Sequence, residues 1–93
     1  MTKIIIYSTA QCPYCVWAKK FLDSRHLAYE EIRVDLDAEK RMEMERLSGR
    51  RTVPQIFIND EAIGGYDDLV QLSKNGELDS LLTINNQKEG PSS

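Results

Sequence analysis

Cys12 and Cys15 are the only cysteines in the chain, and they stand two residues apart in Gln11-Cys12-Pro13-Tyr14-Cys15-Val16-Trp17. Such a pair can be a structural disulfide, half of a metal site, or a reactive dithiol. A bridge across two intervening residues closes a tiny loop and constrains the unfolded chain little. A zinc site takes four ligands, and the sequence adds only a lone histidine, His26, with no second CxxC. The dithiol has the better setting. Pro13 suits the first turn of a helix, and Cys15, Ala18, Phe21 and Leu22 recur at helical spacing, which puts Cys12 at the helix N-terminus. Unpaired amides and the macrodipole favour a thiolate there, and the thiolate is the species that attacks disulfides. Cys15, about one turn further in on the apolar face, is predicted to be buried and to resolve the mixed disulfide formed on Cys12.

The elements that must hold this pair are legible as periodic runs. Lys3 to Ser8, with an unbroken Ile4-Ile5-Ile6, predicts a central strand covered on both faces. The cysteine helix runs to about Ser24, and a weaker alternation predicts a strand over Tyr29 to Val34. Strand, helix and strand in that order imply a parallel pair with a right-handed crossover. Asp37 can cap a second helix from about Ala38 to Leu47, with Gly49 beyond its end. Gln55 to Ile58 and a short strand near Ala62-Ile63 form a hairpin, and Asp67 or Asp68 caps a helix over Leu69 to Leu72 that Gly76 breaks. Leu78 to Leu82 can add a last short helix. The expected fold is α/β and thioredoxin-like: a small four-stranded mixed sheet flanked by helices, with a cytosolic CxxC beside a βαβ unit. The domain is expected over residues 1–84, and the tail 85–93, without apolar periodicity, reads as disordered.

Composition narrows the partners. The 93 residues are 41% apolar and 29% charged, enough for one small core without staples. A formal net charge of −3 offers no surplus of cations for phosphates, so nucleic acid is not an expected partner. The N-terminus carries only three consecutive isoleucines, too few for a secretory or membrane segment, and the expectation is a cytoplasmic protein with no membrane partner. In that reducing compartment a cysteine pair is more often catalytic or metal-binding than a permanent bridge.

Three motifs, Cys12-Pro13-Tyr14-Cys15, Thr52-Val53-Pro54-Gln55-Ile56-Phe57-Ile58 and Gly64-Gly65-Tyr66-Asp67-Asp68, in this order and spacing, resemble the dithiol glutaredoxins of bacterial type. The resemblance covers roughly Lys3 to Leu82. Thioredoxins look similar in fold but typically carry Gly-Pro between the cysteines, and monothiol relatives lack the second one. The resemblance implies glutathione-dependent disulfide reduction by a monomer. Cys12 would attack protein disulfides or glutathionylated thiols, and Cys15 would be needed for protein disulfides only. Glutathione would act as co-substrate, with no tightly bound cofactor and no metal. A potential of about −200 to −230 mV, near the glutathione couple, makes such exchange reversible.

The same resemblance implies a glutathione groove built from Tyr14, Arg41, Thr52, Val53, Pro54, Gly65, Tyr66, Asp67 and Asp68. Pro54 would be cis and face the cysteines, and extended Val53 would offer its backbone N–H and C=O to the cysteinyl part of glutathione. Amides of Tyr66, Asp67 and Asp68 would take the γ-glutamyl carboxylate, and the Asp67 carboxylate its ammonium. On residue types alone Asp67 and Asp68 read as ordinary helix caps. The glycyl carboxylate needs a cation; alignment by spacing favours Arg41, with Arg46, Arg50 and Arg51 open. One position departs from the pattern: many glutaredoxins carry a lysine or arginine three residues before the first cysteine, where this chain has Thr9. The Cys12 thiolate is therefore expected to depend on helix amides, with Lys19 or an arginine as further support. Tyr14 reads as an exposed ring that packs on substrate or merely fills the turn, Trp17 as a half-exposed contact for a partner or a cover for a neighbour, and His26 as a helix-exit residue. Two other functions are consistent with the fold: a cluster carrier bridged between two chains, which Pro13 disfavours, and a thioredoxin-type donor served by a flavoenzyme, which the missing cation at Thr9 leaves open.

Overall fold

A computed structural model describes residues 3–82. The expected tail at 85–93 lies outside the described residues. The elements run β1 (Ile4–Ser8), α1 (Pro13–Ser24), β2 (Glu30–Arg33), α2 (Ala38–Ser48), β3 (Gln55–Ile58), β4 (Glu61–Gly64) and α3 (Tyr66–Lys74), and residues 77–82 are again helical. The apolar runs of β1 and β3 are buried almost throughout, β2 and β4 are the more exposed edges, and the strands join in the order β2-β1-β3-β4. β1 pairs parallel with β2 (Ile5 opposite Glu30) and antiparallel with β3 (Ile5 opposite Phe57), while β3 and β4 form the antiparallel hairpin. This is the α/β, thioredoxin-like mixed sheet expected.

β1 is interior, and its alternate side chains feed two cores. Ile4 and Ile6 pack with Ile56, Ile58, Ala18, Leu22, Leu69 and Leu78 on the side of α1 and α3. Tyr7 and Phe57 pack with Val34 and Met44 on the side of α2, the two rings meeting edge-on at 5.4 Å. Full burial of Leu22 contributes about 2 kcal/mol, and it clamps α1, with the cysteines at its front, onto the sheet.

Local signals set the ends. Asp37 caps α2 by accepting from the amides of Glu39 at 3.0 Å and Lys40 at 3.2 Å, and Gly49 closes that helix at φ +74°. Asn59 and Asp60, both with positive φ, make the tight turn between β3 and β4. One expectation needs correction. Neither Asp67 nor Asp68 caps α3: the cap position is Gly65, and Asp68, at the third helical position, reaches back to accept the Gly65 N–H at 2.9 Å. Phe21 is half-buried at the edge of the core, with the Arg25 guanidinium 5.0 Å over its ring.

Candidate active site

Cys12 and Cys15 are joined as a disulfide, with Cα atoms 5.2 Å apart. The two sulfurs are unequal: Cys12 is half-buried at the surface, whereas Cys15 is fully buried on the inner face of α1. Cys12 is itself the N-cap of α1, and its Sγ accepts the Cys15 N–H at 3.1 Å. A sulfur in this place, once reduced, has amide donors and the positive end of the helix at hand.

The loop from β1 to Cys12 is held from below. The Ser8 hydroxyl, buried at the end of β1, donates to Glu31 at 2.5 Å, and Lys19 of α1 pairs with the same carboxylate at 2.8 Å. The Lys19 contact first, then the Ser8 hydroxyl, keeps Glu31 below its ordinary range. Lys19 is thus committed to Glu31 and does not supply the cation considered for the thiolate. Arg33 grips Asp35 with two bonds of 2.7 Å, which brings that carboxyl down to about 2, and Asp35 accepts the Ala10 N–H at 3.3 Å. The end of β1, the loop at Ala10, the middle of α1 and the strand β2 with Asp35 beyond it are therefore tied together beneath the cysteine turn.

Across the turn stands the segment Thr52-Val53-Pro54. The Val53–Pro54 bond is cis, and Pro54 is buried. The Val53 carbonyl oxygen lies 3.8 Å from Cys12 Sγ. Gln55, 1% exposed, turns its amide back to Thr52 and donates to the Thr52 carbonyl at 2.9 Å and hydroxyl at 3.2 Å. This fixes the loop that precedes β3.

The third wall is the start of α3. Gly64, at φ +117°, lies so close to Asp68 that a Cβ there would meet Oδ2 at 2.2 Å. A Cβ on Gly65 would stand 3.4 Å from the Pro54 carbonyl. The two glycines bring α3 against the Pro54 loop. The Gly65 amide above all, with Arg50 at 3.1 Å, keeps the Asp68 carboxyl below its ordinary value.

These walls enclose an open cleft of about 290 Å³ lined by Tyr14, Arg50, Thr52, Val53, Pro54, Gly65, Tyr66, Asp67 and Asp68. Eight of the nine groove residues expected from the sequence are present, since Arg41 is the one missing and Arg50 the one added. The Arg41 guanidinium donates to the Arg51 carbonyl at 3.1 Å and pairs with Glu45 at 3.4 Å, which holds it between α2 and the loop that leads to Thr52. The cleft lies beside the cysteine turn through Tyr14 and Val53, whereas other depressions lie beside β4 and residues 72–81 or along α2 and its face of the sheet. His26, at φ +59° just past α1, is the helix-exit residue expected.

Residues 4–63 match the family model for glutaredoxin. The chain is 49% identical over 82 residues to Glutaredoxin 3 of Escherichia coli K12, covering 88% of this chain and 99% of that one. The solution structure of glutaredoxin from Brucella melitensis is 46% identical and superposes with a TM-score of 0.77 over 88% of this chain and 89% of that one. The crystal structure of a buckwheat glutaredoxin–glutathione complex is 29% identical, with a TM-score of 0.80 over 89% of this chain and 78% of that one.

Proposed function

The chain belongs to the glutaredoxin family, whose members are thiol–disulfide oxidoreductases, and from that premise we propose how its residues carry out glutathione-dependent exchange. The observation that carries the reading is the position of Cys12: its sulfur caps α1 and faces the Val53 backbone at the mouth of a cleft with peptide-binding groups. Val53 pairs its N–H and C=O with the cysteinyl residue of glutathione, which sets the glutathione sulfur beside Cys12. The free amides at the start of α3 hold the γ-glutamyl carboxylate, Asp67 takes the ammonium, and Arg50 releases part of its hold on Asp68 to meet the glycyl carboxylate. Tyr14 covers the ligand from the α1 side, and Thr52 and Pro54 shape the floor.

In the reaction the Cys12 thiolate attacks one sulfur of a substrate disulfide, the other sulfur leaves as thiolate and takes up a proton, and a mixed disulfide remains on Cys12. With a protein substrate, the Cys15 thiolate then attacks the Cys12 sulfur, expels the second substrate thiol and closes the enzyme disulfide. Two glutathiones reverse this. The first adds to Cys12 and frees Cys15, the second attacks the glutathionylated Cys12, and the products are oxidised glutathione and the dithiol. With a glutathionylated substrate the Cys12–glutathione adduct forms directly, so Cys15 is dispensable. The protein works as a monomer in the cytoplasm, where the glutathione couple is kept reducing.

Trapping tests the reading. A Cys15→Ser protein treated with oxidised glutathione is expected to carry one glutathionyl group, on Cys12, in mass spectra. A protein that stays unmodified under those conditions would overturn it.

A further inference from the structure

Three aromatic rings meet at the mouth of the cleft. Tyr14 and Trp17, one turn apart on α1, meet edge-on with centroids 5.1 Å apart. Tyr66, the first residue of α3, closes the triangle at 6.2 Å from Tyr14 and 5.9 Å from Trp17. These are the spacings of favourable aromatic pairs. Tyr66 is partly buried against the main core, but Tyr14 is 51% and Trp17 49% exposed, so two of the three rings stand open to solvent. Tyr14 and Tyr66 line the cleft while Trp17 stands outside it, so the apolar surface continues the substrate groove beyond its end. Contiguous exposed aromatic area of this kind marks a contact surface.

Its chemistry selects the occupant. Glutathione consists of γ-glutamate, cysteine and glycine; with its two carboxylates, ammonium and backbone matched in the groove, it has no apolar side chain left to use three rings. A polypeptide has. An extended segment that pairs with Val53 through the residue carrying its disulfide projects its neighbouring side chains past the cysteine turn, toward α1 and α3. We propose that Tyr14, Trp17 and Tyr66 form a platform that seats an apolar or aromatic side chain adjacent to the reacting cysteine of a polypeptide disulfide, with Trp17 as its specificity-determining residue. This rests on the reading of the cleft given above and assigns the platform to the polypeptide class of substrate. The chemistry is unchanged: two electrons and two protons pass from the Cys12/Cys15 dithiol to the polypeptide disulfide, which leaves two polypeptide thiols and the enzyme disulfide.

The test compares two peptide disulfides, one with Phe beside the cysteine and one with Ser, on wild type, Trp17→Ala and Trp17→Tyr. Wild type is expected to favour the Phe peptide in kcat/KM by on the order of tenfold. Trp17→Ala should erase the preference, Trp17→Tyr should restore part of it, and reduction of a small glutathione mixed disulfide should be unchanged in both. No preference in wild type, a preference that survives Trp17→Ala, or an equal loss on the small mixed disulfide would overturn the proposal. Binding can be read without turnover, since Trp17 is the only tryptophan in the chain. Peptides with Ser in place of Cys should perturb its fluorescence saturably only when the neighbouring Phe is present, and absence of that change contradicts the platform. A wild type unable to turn over the small mixed disulfide would count against the reading of the cleft, while the fluorescence titration still decides the platform. Self-association abolished by Trp17→Ala would make a second copy the occupant and overturn the proposal.

Discussion

Cys12 Sγ lies 3.8 Å from the Val53 carbonyl, although 41 residues separate the two in the chain. The sulfur that attacks and the backbone that aligns a substrate peptide are thereby set against each other by two different elements, α1 and the loop into β3. α1 is anchored by Leu22 and Ala18, and the loop by the Gln55 bonds to Thr52. Leu22, Ala18 and Gln55 all lie outside the cleft lining and hold the elements in place, while Thr52, which Gln55 fixes, belongs to the lining.

Arg50 is in the cleft and Arg41 is not, which gives the two arginines different expected phenotypes. Arg50→Gln should raise the KM for glutathione by about three- to tenfold with little change in kcat, the modest size reflecting an exposed cation in high dielectric. Arg41→Gln should leave KM within about twofold. Steady-state kinetics at varied glutathione checks both, and the reverse ranking would assign the glycyl carboxylate to α2.

Gly64 combines a φ of +117° with a close approach to Asp68. Gly64→Ala is expected to cost about 2 to 4 kcal/mol by urea unfolding, through strain and displacement of the Asp68 carboxylate. The same change should weaken glutathione binding, because the start of α3 must move away from the Pro54 loop. An alanine variant with unchanged stability would contradict the contact.

Three carboxylates tie the site together and each is held below its ordinary value: Asp68 from 3.8, Glu31 from 4.5, and Asp35 from 3.8 to about 2. A carboxyl lowered in the folded state adds stability that is fully present above its unfolded value and is lost as the pH falls through its folded one. Thermal stability should therefore be flat toward neutral pH and decline below about 4.5, continuing toward 2. Asp68→Asn should remove a small part of that decline, under about 1 kcal/mol for so exposed a pair. Melting curves across this pH range check the direction; a protein that gains stability on acidification would refute it.

The sequence was most informative where one element carries several signals at once. Pro13, the cysteine spacing and the Cys15-Ala18-Leu22 stripe all specify α1, and Asp37 with Gly49 brackets α2 to within a residue of the observed helix. β2 is one residue shorter at each end than the alternation from Tyr29 to Val34 suggests, although Val34 still donates its N–H to the Ser8 carbonyl at 2.9 Å and packs in the α2-side core. The cap of α3 was hidden by chemistry: Gly65 has no side chain to advertise a cap, and the Asp68 carboxylate serves it from three residues downstream. The arginine was hidden by charge density, since in Glu39-Lys40-Arg41 through Arg51 spacing alone does not say which cation turns toward α3. The Trp17–Tyr66 contact joins residues 49 positions apart and follows from the packing of α1 beside α3, which no local pattern encodes.

Thr9, three residues before Cys12, brings no positive charge to the thiol, and Lys19 is paired with Glu31. Introducing Thr9→Lys in a Cys15→Ser background should shift the ultraviolet thiolate absorbance of Cys12 to lower pH, since a nearby cation favours the charged form. Superimposable titrations would refute this expectation.

Reduction of a small glutathione mixed disulfide, coupled to glutathione reductase, tests the unequal roles of the two sulfurs most directly. Wild type and Cys15→Ser should both turn over, and Cys12→Ser should fall by at least about a thousandfold. Turnover that persists without Cys12, or that disappears without Cys15, would contradict the assignment of the outer sulfur as nucleophile and the buried one as the resolving thiol.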